Sequence, residues 1–504
     1  MEWTKARGLG RSWWTGAVSV LSIGVMLRIF NLGLKPLHAD EGVNGLFLLG
    51  LFREGIYRYN PANYHGPSLY YFALVSSSVS HLLFGNEGPS TLAIRAVPVA
   101  FGIALIGLLL TFRARLGDIG TLTAAGLVAF SPGMVYLSRD FIHETLLGFF
   151  TLWVVVWGLR FWDSKKFNHL FLISLAASLM ICTKETAPIS LFALTVAAGV
   201  AQVWVRRDRG LSAAEFGGWT RLAWLVVASF ALFLTCSFLF FSSFLGNYPQ
   251  GVRDAVTTYT YWTRTGMTQH GAPWHTYVVW LLREEAPIFI LAAMGTVLAM
   301  VQRNSRLAVF AGIWAFVLLA AYSVIPYKTP WILLNIIVPM SIVGGAGVQI
   351  LRDYLVKHYS GRLTQSFPAA LSVVALAICF YQSVQLSFFH YDDDRYLYPY
   401  VQTRRDFMNL VAEINEVAAI RGGMQTQVAV LTPDYWPLPW YLRDYRKVAY
   451  FGKVTPTDFP IVVGSLSQMV ELQRLLAGRY QLKGWYPLRP GVDLVLYVAN
   501  ETTP

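Results

Sequence analysis

The sequence predicts a polytopic α-helical membrane protein of about eleven transmembrane helices, with a small C-terminal α/β domain outside the membrane. Long apolar runs alternate with short polar breaks through residues 1–389, and most runs approach the roughly 20 residues that cross a bilayer. Only 13% of residues are charged and 55% are hydrophobic, whereas soluble domains carry about a quarter charged residues. The basic residues behind the net charge of +12 sit in short loops between apolar runs. This distribution reads as orientation signal and anionic-headgroup contact, and no nucleic-acid partner is expected.

Apolar runs fall at 15–34, 67–84, 95–113, 119–137, 144–162, 168–183, 186–204, 222–243, 286–302, 306–326, 331–351 and 367–389. The charges decide which run does not span. Excluding 67–84 gathers Lys5, Arg7, Arg11, Arg113, Arg115, Lys165 and Lys166 on the N-terminal side of the membrane. Arg206, Arg207, Arg209, Arg221, Arg303, Arg306, Arg352, Lys357 and Arg362 join them. The short opposite loops then hold only Arg139, Lys184 and Lys328. That is a positive-inside arrangement, with a cytoplasmic N-terminus and an extracytoplasmic C-terminal domain. Gly66-Pro67 opens the excluded run and Ser76, Ser77, Ser78, Ser80 and His81 make it polar, so it reads as an interfacial or re-entrant helix. The basic, then apolar, N-terminus has no small-residue cleavage site and reads as an uncleaved first helix.

The membrane domain is therefore expected over 1–389, with an outer loop at 35–94 carrying interfacial helices 42–54 and 67–84. Beyond it, over 390–504, apolar runs shorten and charges return. Residues 403–421 and 465–477 read as helices, and Val428–Leu431, Val448–Phe451, Ile461–Val463, Tyr480–Trp485 and Leu494–Val498 as strands. Cys182, Cys236 and Cys379 lie in or beside apolar runs without metal-ligand spacing and read as packing residues.

The polar groups cluster in the outer loops. The first reads His38-Ala39-Asp40-Glu41-Gly42, with Arg58 and Tyr64-His65-Gly66-Pro67 further on. Asp40 suits a general base, and it also suits the cap of a helix starting near Glu41. The second loop packs Arg139, Asp140, His143 and Glu144 into Ser138–Glu144. Charges there cost free energy unless paired or wet, which favours a site over simple packing. Lys184-Glu185 reads as a plain ion pair at a helix junction. Arg264 and the histidines His270 and His275 stand out from an aromatic stretch that otherwise resembles an interfacial belt. Lys328, in Tyr327-Lys328-Thr329-Pro330-Trp331, suits headgroup contact or a phosphate. No acid lies at the midpoint of an expected span, which argues against a proton-coupled transporter.

These motifs resemble the GT-C fold of lipid-dependent glycosyltransferases, in layout the dolichyl-phosphate-mannose protein mannosyltransferases and the bacterial lipid A aminoarabinose transferase. Asp40-Glu41 matches their first-loop Asp-Glu, and His65-Gly66-Pro67 is similar to their His-Pro-Pro with Gly in place of the first Pro. Ser138-Arg139 followed by Glu144 resembles their Ser-Arg followed by an acid, displaced by a residue. The order His-Ala-Asp-Glu-Gly, Tyr-His-Gly-Pro, Ser-Arg-Asp, Thr-Lys-Glu-Thr, Tyr-Lys-Thr-Pro-Trp and Asp434-Tyr435-Trp436-Pro437 resembles the prokaryotic flippase-activity-associated family.

The resemblance implies a polyprenyl-phosphate-linked sugar as donor, held beside membrane lipid, and a glycan, lipid or protein acceptor. Asp40 would act as general base in an inverting transfer. Arg58, Arg139, Arg264 and Lys328, with His65, would meet the leaving phosphate. Glu41, Asp140, His143 and Glu144 would orient the acceptor, and Asp40, Asp140 and Glu144 would ligate a divalent cation if the reaction uses one. The competing expectation is a non-catalytic flippase or accessory protein for lipid-linked sugars.

Overall fold

The computed structural model describes residues 10–63, 65–85, 88–205, 214, 217–268 and 271–500. Tyr64, His270 and the basic residues Lys5, Arg7, Arg206, Arg207 and Arg209 lie outside them. The chain folds as two units, one of residues 1–30 and 50–389, the other of 31–49 and 390–504.

The first unit is a helical membrane bundle. Among the described residues, eight helices are long and apolar enough to cross a bilayer, or nine if one bent pair counts as a span. That pair is Thr276–Glu284 and Ala286–Gln302, bent by 112° at Glu285. The run expected not to span is the helix Ser68–Phe84, a shorter apolar helix of 17 residues, and the run expected to span at 168–183 is the still shorter Asn168–Ile181 of 14 residues. The run expected at 119–137 divides at Ser131-Pro132 into Arg113–Phe130 and the six-residue helix Pro132–Leu137. Proline cannot donate to a continuing helix, and the Ser131 hydroxyl instead caps the new one by accepting from the Met134 N–H.

The bundle centres on the helix Leu333–His358, and 94% of the most apolar stretch within Pro330–His358 is buried. Its Gly344-Gly345-Ala346-Gly347 run explains how it crosses its neighbours so closely. A Cβ on Gly345 would lie 2.2 Å from the Gly120 carbonyl oxygen, and one on Gly347 would lie 2.4 Å from the Gly295 Cα. Small residues let backbones approach, and van der Waals packing drives helix association in lipid. Trp219–Phe241, by contrast, buries only 6% of its window and exposes Trp224, Val227 and Phe230, as a lipid-facing helix does.

The second unit is a mixed sheet covered on both faces. Its strands β1 (Val428–Val430), β2 (Val448–Tyr450), β3 (Ile461–Ser465), β4 (Tyr480–Arg489) and β5 (Val492–Ala499) lie in the order β2-β1-β3-β5-β4. β1 pairs in parallel with β2 and β3, whereas β5 runs antiparallel to β3 and β4. The strand alternation sets the two cores. Val428, Val430, Ile461 and Val463 pack with Phe407, Leu410 and Ile414 of the helix Phe407–Arg421. Ala429, Leu431 and Val462 pack with Leu472 and Leu476 of Met469–Leu476. Each expected strand and both expected helices are present, with β3, β4 and β5 extended and β1, β2 and both helices shortened by one to five residues.

Candidate functional site

In the second unit, Asp40 and Glu41 open the helix Ala39–Glu54. The expected Asp40 cap is replaced by His38. The helix starts before Glu41, so the capping position moves back along the chain. The His38 Nδ1 accepts from the Asp40 N–H at 3.1 Å, and the Glu41 Oε2 accepts from the His38 N–H at 3.0 Å. With Nδ1 accepting, the ring proton is assigned to Nε2, which donates to the Tyr400 carbonyl at 3.2 Å. Glu41 is fully buried, while the Asp40 side chain is 44% exposed. Successive helical residues point about 100° apart, so adjacent acids come to face protein and solvent.

The segment holding these acids is built into the C-terminal fold. The Leu37 N–H donates to the Tyr441 hydroxyl at 2.9 Å, and the Gln402 amide to the Pro36 carbonyl at 3.0 Å. A Cβ on Gly42 would lie 2.7 Å from Pro437, and one on Gly45 2.4 Å from the Trp440 ring. The His-Ala-Asp-Glu-Gly and Asp-Tyr-Trp-Pro motifs, about 390 residues apart in sequence, thus pack together.

In the first unit, three of the remaining motifs converge. The Gly66 N–H donates to the Thr183 carbonyl at 3.0 Å, the Ser68 N–H to the Cys182 carbonyl at 2.9 Å, and the Ser68 and Thr183 hydroxyls bond at 2.7 Å. A Cβ on Gly66 would lie 2.2 Å from the Cys182 oxygen. Glycine at 66 is therefore required here: proline would lack the donated N–H and would overlap the facing backbone. This strap brings His65 onto the Thr183–Thr186 junction, where its Nδ1 bonds the Glu185 Oε2 at 2.8 Å. The His65 ring stacks on Trp262 at 5.6 Å and meets the edge of His143 at 4.9 Å. The His143 Nε2 donates to the Gly66 carbonyl at 3.1 Å.

Lys184 turns the other way and forms a buried ion pair with Glu144. The expected Lys184–Glu185 pairing is thus replaced by two pairs, Lys184 with Glu144 and Glu185 with His65. Neighbours in sequence at a helix junction diverge, and each finds its partner on a different segment. Burial lowers the His143 pKa well below the usual imidazole value, and the charges of His65 and Lys184 lower it further. At Glu185 burial works upward, but the charge and hydrogen bond of His65, with Lys184, outweigh it and hold the carboxyl below its usual value. At Lys184 burial works downward and is outweighed by Glu144 and Glu185, so its pKa is raised.

The other expected cations divide by exposure. The Arg139 Nη1 donates to the carbonyls of Leu27, Arg28 and Phe30 at 2.9, 3.2 and 2.8 Å, and the guanidinium lies over the Phe388 ring. Lys328 is likewise buried, its Nζ donating to the carbonyls of Tyr322, Ser323 and Ile325. Both cap the C-terminal ends of apolar helices, Arg11–Ile29 and Arg306–Val324. Arg58 is largely exposed and pairs with Glu54. Arg264 is exposed on Gln250–Thr268, two residues beyond Trp262 and so turned away from His65. Asp140 is buried beside Arg139. Among the described residues, no three His, Cys, Asp or Glu side chains gather as metal ligands.

Sequence reasoning missed Glu285. It is fully buried at the 112° bend, and its Oε1 accepts from the Ser131 hydroxyl at 2.9 Å and the Gly133 N–H at 2.8 Å. It thereby anchors the N-terminal end of Pro132–Leu137, the short helix that leads into Ser138–His143. The Glu284-Glu285 pair before Ala286-Pro287 was the legible signal, an acid at the edge of an apolar run.

The family model for dolichyl-phosphate-mannose-protein mannosyltransferase matches residues 65–241, which hold His65, Glu144, Lys184 and Glu185. No curated protein matches in sequence. Among solved structures, ArnT from Cupriavidus metallidurans in its apo state is similar over 96% of this chain and 98% of its own, with a TM-score of 0.65 and 16% identity. The same protein bound to undecaprenyl phosphate is similar over 98% of this chain and 100% of its own, with a TM-score of 0.64 and 16% identity. The chain has the GT-C fold.

Proposed function

We propose that this GT-C-fold chain is a membrane glycosyltransferase that moves a sugar from a polyprenyl-phosphate donor to an acceptor hydroxyl outside the cytoplasm. The fold likeness to ArnT bound to undecaprenyl phosphate, and the mannosyltransferase family match, support a lipid-phosphate donor. The observation that carries the reading is the division of labour at His38–Glu41. The backbone at the helix start is satisfied by His38 and Glu41, which leaves the Asp40 carboxylate, 44% exposed, outside the capping bonds.

Asp40 takes the proton of the acceptor hydroxyl as that oxygen attacks the anomeric carbon. The bond from carbon to the phosphate oxygen breaks, its electron pair leaves with the polyprenyl phosphate, and the anomeric configuration inverts. Of the four cations expected to meet that charge, Arg58 and Arg264 are exposed. Arg139 and Lys328 are committed to helix carbonyls and serve the scaffold. The Glu144–Lys184 and Glu185–His65 pairs hold the outer loops in register.

Transfer from a polyprenyl-phosphate sugar by the purified Asp40→Asn protein tests this. Loss of a general base lowers turnover about 10²- to 10⁴-fold, while retention of a folded, lipid-binding protein is expected. Unchanged turnover would remove Asp40 from the chemistry. Donor movement between liposome leaflets that persists in Asp40→Asn, with no transfer in wild type, would favour the flippase or accessory reading instead.

A further inference from the structure

At the far end of Leu333–His358 from Lys328, the membrane unit opens a polar pocket of ≈ 510 Å³. A helix of 26 residues separates its ends by about 39 Å, so the pocket is remote from the His65, Glu144 and Lys184 cluster. Its volume lies in the range of about 300–1,000 Å³ that small-molecule sites occupy. Lys357, His358 and Arg115 line it, with Gln302 and Asn304. Leu116 and Ile350 add apolar surface.

One acid, Asp353, lines the pocket, and its Oδ1 accepts from the Gln349 amide at 2.8 Å, while outside the lining Asp163 pairs with Arg115. The Asn304 amide donates to the Gln302 oxygen at 3.1 Å, which leaves the Gln302 amide N–H groups outside that bond. His358 is oriented by its Nδ1, which donates to the Tyr354 carbonyl at 2.8 Å. The surroundings are strongly basic, with Arg113, Arg303, Arg306, Arg352 and Arg362 in the adjoining sequence. Several cations at this end lie over tryptophan rings: Arg160 over Trp157, Lys165 and Arg306 over Trp162, and Arg303 over Trp204. Tryptophan and basic side chains mark the headgroup level of a membrane protein. Basic pockets between transmembrane helices at that level take acidic headgroups.

We propose that this pocket binds the phosphate of an anionic lipid headgroup, with Lys357 as the charged contact, the Gln302 amide as a neutral donor, and Leu116 and Ile350 beside the glycerol. The site is independent of the transfer chemistry and stands whether or not Asp40 is a base.

Native mass spectrometry of the full chain from bilayers of phosphatidylglycerol and phosphatidylcholine tests it. Wild type is expected to retain phosphatidylglycerol selectively, and Lys357→Glu to weaken that retention about tenfold. Lys166→Glu, a charge reversal outside the pocket lining, should change it little. Lys357→Gln serves as the milder variant should the charge reversal fail to fold. Protection by inorganic phosphate alone, lost in the same Lys357 variant, would support the phosphate site and assign it a soluble ligand. Equal retention in wild type and both Lys357 variants, or an equal loss in Lys166→Glu, would overturn the proposal in favour of diffuse charge.

Discussion

His143 shows how a single residue's surroundings change its chemistry. In sequence it belongs to a charged loop and reads as a substrate contact. In the structure it is fully buried, donates to the Gly66 carbonyl, and is held neutral first by burial and then by nearby positive charge. Its folded pKa is lowered, so the unfolded chain binds the proton first as pH falls. The stability it contributes is fully present above about pH 6.5 and is lost as pH falls toward its folded value. The slope for one such group is about 1.4 kcal/mol per pH unit. Thermal unfolding of His143→Asn is therefore expected to flatten below about pH 6.5 relative to wild type. Parallel pH profiles would show that the buried imidazole is not what acid attacks. The neighbouring Gly66 was legible only as a departure from His-Pro-Pro. Its N–H bond to Thr183 and the 2.2 Å approach to the Cys182 oxygen give that departure a steric and hydrogen-bonding cause.

Among the elements, the short helix Pro132–Leu137 has the clearest dependence on a distant partner. Serine and proline start it locally, but Glu285 fixes its position through the Ser131 hydroxyl and the Gly133 N–H. The arrangement predicts that Glu285→Ala leaves two buried donors without their acceptor, each costing about 1–3 kcal/mol. Glu285→Gln keeps an acceptor oxygen and should lie between that variant and wild type. Melting temperatures in detergent check the order, and equal values for the two variants would remove the anchoring role. The Arg139 and Lys328 side chains belong to the same scale. Each carries a charge that sequence alone could assign to phosphate, and each instead meets the unpaired carbonyls at the end of an apolar helix. A helix end buried in lipid-level surroundings needs donors, and a long cationic side chain supplies several at once.

For the whole molecule, the alternation of basic loops predicts which faces meet the cytoplasm. Ser164, beside Lys165 and Lys166, should lie inside, and the C-terminal unit outside. Ser164→Cys and Thr455→Cys in otherwise cysteine-free protein should label from opposite sides of intact cells. Ser164→Cys labelled from outside and Thr455→Cys from inside would overturn the exclusion of 67–84 as a span, because that one helix flips every later loop together. The unit boundaries also fall elsewhere than hydropathy places them: residues 31–49 group with 390–504, since Pro36, Leu37, Gly42 and Gly45 all meet residues beyond 400.

The sequence by itself determined the membrane class, the apolar helices, the five strands and the motif order that resembles the GT-C enzymes. Each of those follows from local periodicity, composition or spacing, which a chain displays without folding. Only the tertiary structure decided that His38 caps the Asp40 helix, that Lys184 pairs with Glu144 and Glu185 with His65, and that Arg139 and Lys328 cap helix ends. Those partners lie about 40 to 120 residues apart for the ion pairs, or depend on where a helix begins. Hydrogen bonds and ion pairs are chosen by distance in space once apolar packing has brought the segments together, so a charge in sequence carries its chemistry but not its partner.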